Sequence, residues 1–365
     1  MSDAPFRRAL VIKLRHHGDV LLTGPVFSTL AEAHPGIEID ALVYSDTQEM
    51  LTLHPHVRTV HTIGRDWRKL GPLAQLSRYW GLYKALKSRD YDLIVHLTDH
   101  WHGARLARLL KPRVSVAPSV KKNSARASKT WAKSFTARYP VVGGNRRHTV
   151  DIHLDALRRI GIQPSEASKP LRFVAGDAAE ASVAAKLEGQ GVASGGYILI
   201  HPTSRWLFKT WPVAHVATLV DALTARGDTV VLSAAPSKAE LDWIAQLKMK
   251  LARPVADLSG QLSLKELGAL IAGARAFVGV DSVPMHLAAA TQTPAVALFG
   301  PSGDIEWGPW RSPHRLITEP FSCRPCGQDG CGGSKVSDCL TAITPERVLA
   351  ELDGLLAETG RGVSR

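Results

Sequence analysis

Val278-Gly279-Val280-Asp281-Ser282-Val283-Pro284-Met285-His286-Leu287-Ala288-Ala289-Ala290 couples a short apolar strand to an Ala-rich helix through Asp281-Ser282. That is the strand–turn–helix step of a parallel α/β sheet. The apolar run 276–280 ends in a carboxylate and a hydroxyl, with Ser282 placed to cap the next turn and Pro284 suited to a first helical position. Unpaired N–H groups at such a helix start, together with the positive end of the helix dipole, favour a phosphate. His286, one turn in, adds a donor. An ordinary capped helix carrying a surface histidine is the alternative reading of the same residues.

Working outward, the same alternation fills the chain. In the first half, strands are expected at 9–14, 37–43, 57–63, 93–97 and 114–116, with helical spacing at 25–33, 76–86 and 149–160. Residues 161–178 are weakly periodic and rich in Pro, Ser and Ala, which makes them a natural linker. A second series follows, with strands at 197–201, 229–233, 256–258, 276–279 and 295–299 and helices at 213–225, 239–251, 263–273 and 285–290. The pattern predicts two doubly wound α/β domains, 1–170 and 180–344, with ligands at the carboxyl ends of the strands where they face an interdomain cleft. Residues 345–365 form a C-terminal helix and tail. Thr344 is the expected N-cap and Pro345 the first helical residue, and this helix either finishes the second domain or packs back on the first.

A chain of 365 residues exceeds what one core usually supports, in keeping with two domains. No apolar run reaches the roughly 18–20 residues that a membrane span requires, and residues 1–8 lack the apolar core of a secretory signal, so a cytosolic protein is expected. The net charge of +12 is localised. Between Asp99 and Asp151 there is no acidic residue, whereas Arg105, Arg108, Lys111, Arg113, Lys121, Lys122, Arg126, Lys129, Lys133, Arg138, Arg146 and Arg147 supply a charge equal to the whole excess. Such a block concentrates anionic partners at the surface, or is simply a solvated loop. Aromatic residues are too sparse here for a base-stacking platform, so nucleic acid is not the expected partner.

The four cysteines fall in one stretch, Cys323-x2-Cys326-x4-Cys331-x7-Cys339. A cytosolic setting disfavours disulfides and leaves a structural zinc site or a redox-inert loop, with no catalytic role expected.

Two further loops behind predicted strands hold polar groups. Lys13-Leu14-Arg15-His16-His17-Gly18-Asp19 follows the first strand, where Gly18 allows close backbone approach and Asp19 projects a carboxylate at a helix start. Asp19 suits a proton acceptor, adequate where an alcohol attacks a carbon with cationic character; a plain N-cap is the alternative. His201-Pro202-Thr203-Ser204-Arg205-Trp206-Leu207-Phe208-Lys209-Thr210-Trp211-Pro212 offers the hydroxyls of Thr203 and Ser204 and the mobile charge of Lys209, a set suited to phosphate oxygens. Phe299-Gly300-Pro301-Ser302-Gly303 is a Gly-rich turn after the next strand. Neither G-x-G-x-x-G after the first strand nor G-x-x-x-x-G-K-[ST] is present, which disfavours a nicotinamide enzyme and a P-loop. Nor does an Asp-x-Asp pair stand at a strand end to hold a metal against a diphosphate, so cationic and N–H donors would stabilise the leaving group.

Lys13-x4-Gly18-Asp19, His201-Pro202-Thr203-Ser204 with Lys209-x-Trp211-Pro212, and Asp281-Ser282-x-Pro284-x-His286-x-Ala288-Ala289 followed by Leu298-Phe299-Gly300 together resemble the bacterial ADP-heptose:lipopolysaccharide heptosyltransferases of glycosyltransferase family 9. The resemblance spans nearly the whole chain in the right order. Residues 14–23 and Val43-Tyr44 look most like the heptosyltransferase III branch. The resemblance implies a GT-B fold, with residues 1–170 binding the acceptor and 180–344 the nucleotide sugar, and an inverting mechanism without metal or other cofactor. It implies ADP-heptose as donor and the lipid A-linked lipopolysaccharide core as acceptor. Asp19 would be the general base and Lys209 its catalytic counterpart at the leaving group. Thr203, Ser204, Lys209, Asp281, Ser282, Val283, His286 and Gly300 would surround the donor, and Gly18, Lys121, Lys122 and Arg126 the acceptor. Domain closure would then exclude water, and the basic block would face the acceptor in peripheral contact with the cytoplasmic side of the inner membrane. Where the heptosyltransferase I pattern reads Asp-Thr-Gly, this chain has Asp281-Ser282-Val283. The alternatives are heptosyltransferase I or II, transfer of another nucleotide sugar, and a non-catalytic binder of an anionic glycan or nucleotide sugar.

Overall fold

The computed structural model describes residues 4–361. The chain divides into two compact units, Met1–Gly143 with Thr149–Arg172, and Gly144–His148 with Phe173–Arg365.

The first unit is built on six parallel strands, β1 (Arg8–Lys13), β2 (Glu38–Tyr44), β3 (Thr59–Ile63), β4 (Leu93–His96), β5 (Val114–Pro118) and β6 (Ala137–Tyr139), in the order β3-β2-β1-β4-β5-β6. All but the first residue of β1 is buried, as a strand covered by helices on both faces requires. The five strands read from the sequence are present, with ends displaced by one or two residues. β6 escapes sequence reading because Ala137-Arg138-Tyr139 makes no apolar run. The helices Trp101–Leu110 and Ala125–Lys133 escape it as well, because the basic block masks their buried residues. Trp131 on the second of these is buried, its indole N–H donating to the Pro118 carbonyl at 3.0 Å.

The second unit repeats the plan with β7 (Tyr197–His201), β8 (Thr229–Leu232), β9 (Ala256–Asp257), β10 (Ala276–Val280), β11 (Ala295–Leu298) and β12 (His314–Ile317), in the order β12-β11-β10-β7-β8-β9. Counted from its own first strand, this is the same doubly wound sequence of strands as in the first unit. Gly279 lets β10 lie close to β7, because a Cβ there would sit 2.5 Å from the Phe277 ring and 3.0 Å from the His201 carbonyl. The helix Asp177–Glu188 begins within the stretch expected to be linker. The helix Pro345–Glu358 starts at Thr344, whose hydroxyl accepts the Arg347 N–H, and its Val348, Leu352, Leu355 and Leu356 join the core of the second unit beside Leu298 and Ile317. It completes that unit.

In a doubly wound sheet the crevice for ligands opens where strand order reverses, outside the carboxyl ends of the strands. Here the reversals fall between β1 and β4 in the first unit and between β7 and β10 in the second.

Candidate active site

At the first reversal, β1 ends in Lys13 and leads into the short helix His17–Leu21. Asp19 is the third residue of that helix and His16 is its N-cap, so Asp19 is not a capping residue. Its Oδ1 lies 3.4 Å from Lys13 Nζ. The same ammonium donates to the Leu97 carbonyl at 3.3 Å and to His153 Nε2 at 2.9 Å. His153 Nδ1 lies 3.1 Å from the Leu22 carbonyl. A carbonyl only accepts, so Nδ1 carries the ring proton and Nε2 presents its lone pair to Lys13. All three ammonium donors are thus occupied inside the protein. Burial pushes the Lys13 pKa down, and the Asp19 charge and hydrogen bond pull it back up. Gly18 is buried in the same turn.

Across the reversal, Asp99 follows β4 and pairs with Arg15 at 2.9 Å, while its carbonyl accepts from Lys122 Nζ. Lys122 also lies 4.2 Å from the Trp131 ring centroid, and burial lowers its pKa. Lys122 is thereby tied to the β1–β4 crevice. Lys121 and Arg126 are exposed, with no contact tying either to Asp19. The basic block is divided between different surroundings. Arg113 is turned to the Ala4 carbonyl and the Phe6 ring, and Arg146 and Arg147 belong to the other unit.

A cavity of about 240 Å³ in the first unit is lined by Tyr44, Ile63, Gly64, Arg65, Arg68, Tyr79 and His102. Arg65 lies 3.9 Å from the Tyr44 ring centroid, pairs with Asp46 and donates to the Arg15 carbonyl at 2.8 Å. His17 Nε2 donates to the Asp46 carbonyl at 2.8 Å. The cavity wall is therefore fastened to the loop that carries Asp19. Burial, with nearby His100, Arg105 and Arg68, pushes the His102 pKa down to about 4. Of this lining, sequence reading singled out Tyr44, through the Val43-Tyr44 likeness, and missed Arg65, Arg68, Tyr79 and His102, as it missed His153.

At the second reversal the loop after β7 and the turn after β10 meet. Lys209 Nζ, at the end of the 3-10 turn Leu207–Lys209, lies 2.6 Å from Asp281 Oδ2. Ser282 stands at the N-cap of the helix Val283–Ala290, yet its hydroxyl lies 3.2 Å from the Val280 carbonyl and bonds no first-turn N–H. The expected side-chain cap is therefore absent, and the positive end of the helix is left for another acceptor. Pro284 occupies the second helical position, and His286 is buried rather than a surface residue.

Thr203 is fully buried and donates to Glu240 Oε2 at 2.7 Å, and Ser204 Oγ accepts the Trp206 N–H at 3.3 Å. These hydroxyls shape the loop. Below them, His201 Nδ1 meets Ser233 Oγ at 2.9 Å, and burial pushes its pKa down to about 4. Gly300 is required by packing: a Cβ would sit 2.5 Å from Leu340 and 3.4 Å from Cys339 Sγ. Its carbonyl accepts from Arg324 Nε at 2.7 Å, which pins the cysteine-bearing loop to the end of β11.

The four thiols are free, with Cys323 exposed and Cys339 buried, its pKa pushed up by that burial. Among the described residues no group of three or more His, Cys, Asp or Glu is placed to hold a metal ion. No described helix is long and apolar enough to cross a membrane.

The family model "Glycosyltransferase family 9 (heptosyltransferase)" matches residues 79–336. Lipopolysaccharide heptosyltransferase 3 of Escherichia coli is 37% identical over 298 residues, 81% of this chain and 84% of that one. Among solved structures, a glycosyltransferase family 9 protein of Veillonella parvula superposes with a TM-score of 0.81 at 20% identity, covering 96% of this chain and 97% of that one. An E. coli heptosyltransferase bound to ADP superposes with a TM-score of 0.73 at 21% identity, covering 95% and 99%. With two doubly wound sheets in a GT-B fold, and with sequence likeness over most of its length, this chain belongs to glycosyltransferase family 9, the heptosyltransferases.

Proposed function

We propose that the chain transfers L-glycero-D-manno-heptose from ADP-heptose to the lipopolysaccharide inner core, by a single inverting displacement without metal, as a heptosyltransferase III. One observation carries the reading: each unit places a Lys–Asp pair at its strand-order reversal, Lys13 with Asp19 and Lys209 with Asp281. The acceptor hydroxyl gives its proton to the Asp19 carboxylate, and its oxygen forms a bond to the anomeric carbon. The bond from that carbon to the diphosphate oxygen breaks, and its electron pair leaves with ADP. Lys209 turns from Asp281 to the departing diphosphate, and the helix start at Ser282-Val283 supplies backbone dipole. Thr203 and Ser204 hold the shape of the donor loop, and His286 and Gly300 back it. Val283 sets the space beside the sugar.

Lys13 and His153 keep Asp19 in place. Gly18, Lys122 and the Arg65–Arg68 cavity receive the phosphorylated core sugars, with Lys121 and Arg126 contributing charge. Work on a lipid A-linked acceptor puts the enzyme in peripheral contact with the cytoplasmic face of the inner membrane. The likeness to heptosyltransferase 3 supports the branch assignment. The test is mass spectrometry of lipopolysaccharide cores made with and without the protein, with ADP release measured in vitro. Loss of one branching heptose and ADP release that needs both substrates are expected. Unchanged cores would overturn the reading, and binding of ADP-heptose without turnover would leave a non-catalytic binder.

A further inference from the structure

The helix Pro72–Lys87 turns large apolar side chains to water. Leu73 is 84% exposed, Leu76 66% and Trp80 53%. Positions i, i+3 and i+7 lie on one helical face. The core does not need them, because the helix packs inward through Leu82, Tyr83 and Leu86. Lys84 and Lys87 are exposed and continue the apolar face by one turn, Lys84 Nζ lying 5.5 Å from the Trp80 ring centroid.

From Trp67 to Ser88 the chain carries Arg68, Lys69, Arg78, Lys84 and Lys87 and no acidic residue, while Arg89 beyond them is paired with Glu38 and Asp40. The helix Trp101–Leu110 lies beside it, Tyr79 stacking on His102 at 5.6 Å, and adds exposed Leu109, Arg105 and Arg108. Apolar residues with an interfacial Trp on a face rimmed mostly by cations, with Asp66 and Asp90 at its two ends, match an anionic lipid surface, where the rings and aliphatic chains enter below the headgroups and the lysines meet the phosphates. A second copy of this chain would bring the same cations against each other across a two-fold axis, which disfavours that occupant.

We propose that the Leu73–Leu76–Trp80 face docks the protein on anionic phospholipid, with Lys69, Lys84 and Lys87 holding the headgroups. The proposal deepens the reading above, resting on it for why a lipid surface matters to this enzyme. Docking here presents the first unit to an acceptor whose lipid stays in the bilayer.

The test is flotation with phosphatidylcholine vesicles with and without phosphatidylglycerol, across a salt titration. The wild type should float only with the anionic vesicles and be released by salt. Leu73→Ser/Leu76→Ser/Trp80→Ser should lower the bound fraction roughly tenfold with a melting temperature close to that of the wild type, because of the three only Trp80 touches a residue packed on the core, Tyr83. Lys84→Glu/Lys87→Glu should lower it by a similar factor. Both variants should keep wild-type ADP release on delipidated core oligosaccharide and lose it on vesicle-embedded acceptor. Wild-type flotation by the apolar variant overturns the proposal. So does a wild-type dimer in sedimentation equilibrium that this variant dissociates, which would make the face a self-association surface. A wild type that turns over delipidated acceptor yet ignores anionic vesicles refutes the docking and leaves the transferase reading standing, whereas no turnover of delipidated acceptor refutes the transferase reading alone.

Discussion

The two units set the same pair of residue types at the same place in the same strand order, and they use them differently. In the first, the Lys13 side chain is 7% exposed and all three of its donors are spent on Asp19, Leu97 and His153. In the second, the Lys209 side chain is 22% exposed, and Asp281 is its ion-pair partner at 2.6 Å. A saturated buried ammonium is a fixed strut, and its function is to hold a carboxylate. A half-buried ammonium on a 3-10 turn can exchange its partner for an incoming anion. The lesson is that a Lys–Asp pair at a strand-order reversal takes its role from the number of other partners the lysine has.

The largest effect belongs to Asp19→Asn, which should cut kcat by about 10²–10⁴-fold, the range of a positioned general base, while ADP affinity by calorimetry stays unchanged. Turnover near wild type would remove Asp19 from the reaction. Next, Lys209→Ala should cost about 10²–10³-fold in kcat/KM and weaken ADP binding, and it should lower Tm less than the Lys13 variant does, because the ion pair with Asp281 is the contact it removes. Lys13→Met should cost more in the melt, about 3 kcal/mol or more of stability, because it strands Asp19 and also removes the donor to the Leu97 carbonyl and to His153 Nε2. Equal melting of the Lys13 and Lys209 variants would erase the distinction between strut and switch.

A finer test concerns His153. His153→Leu removes the acceptor behind Lys13 and should lower kcat several-fold while leaving ADP affinity intact, since ADP is assigned to the other unit. His153→Gln offers an amide oxygen to Lys13 and an N–H to Leu22, and should restore most of the rate. If both variants are equally slow and equally destabilised, His153 is only a core residue.

The smallest effect compares acid sensitivity. Burial lowers the pKa of His96 in the first unit to about 3 and that of His201 in the second to about 4. Each ring stays neutral when folded and takes up a proton when unfolded, so stability is full above about pH 6.5 and falls as pH drops towards 3–4. Melting followed between pH 7 and pH 4.5 should show the decline, and His96→Phe should flatten it for the first unit.

Much of this architecture is legible in the chain because period and punctuation agree. The strands that became β1, β7 and β10 are continuous apolar runs that end in chemistry, and nothing in their neighbourhood competes with that pattern. β6 and the helix Ala125–Lys133 were illegible because Trp131 and Tyr139 carry the burial amid lysines and arginines. Asp19, Lys209 and Asp281 could be singled out because each follows a strand end. His153 could not, for it sits mid-helix, far along the chain from its partner, and reads as one more amphipathic position. Ser282 misled in a different way: residue type marks an N-cap site, but only the backbone torsions decide whether the hydroxyl turns forward to the helix or back to Val280.

Two doubly wound halves, and the loops that carry polar groups, are readable from residue order alone, because strand periodicity and the rule that ligands gather at strand carboxyl ends are local and topological. Which lysine is locked and which is available, and which apolar residues of the helix Pro72–Lys87 face water, emerge from the folded arrangement. Those outcomes depend on how many partners converge on one atom from distant parts of the chain, and residue spacing carries no record of that convergence.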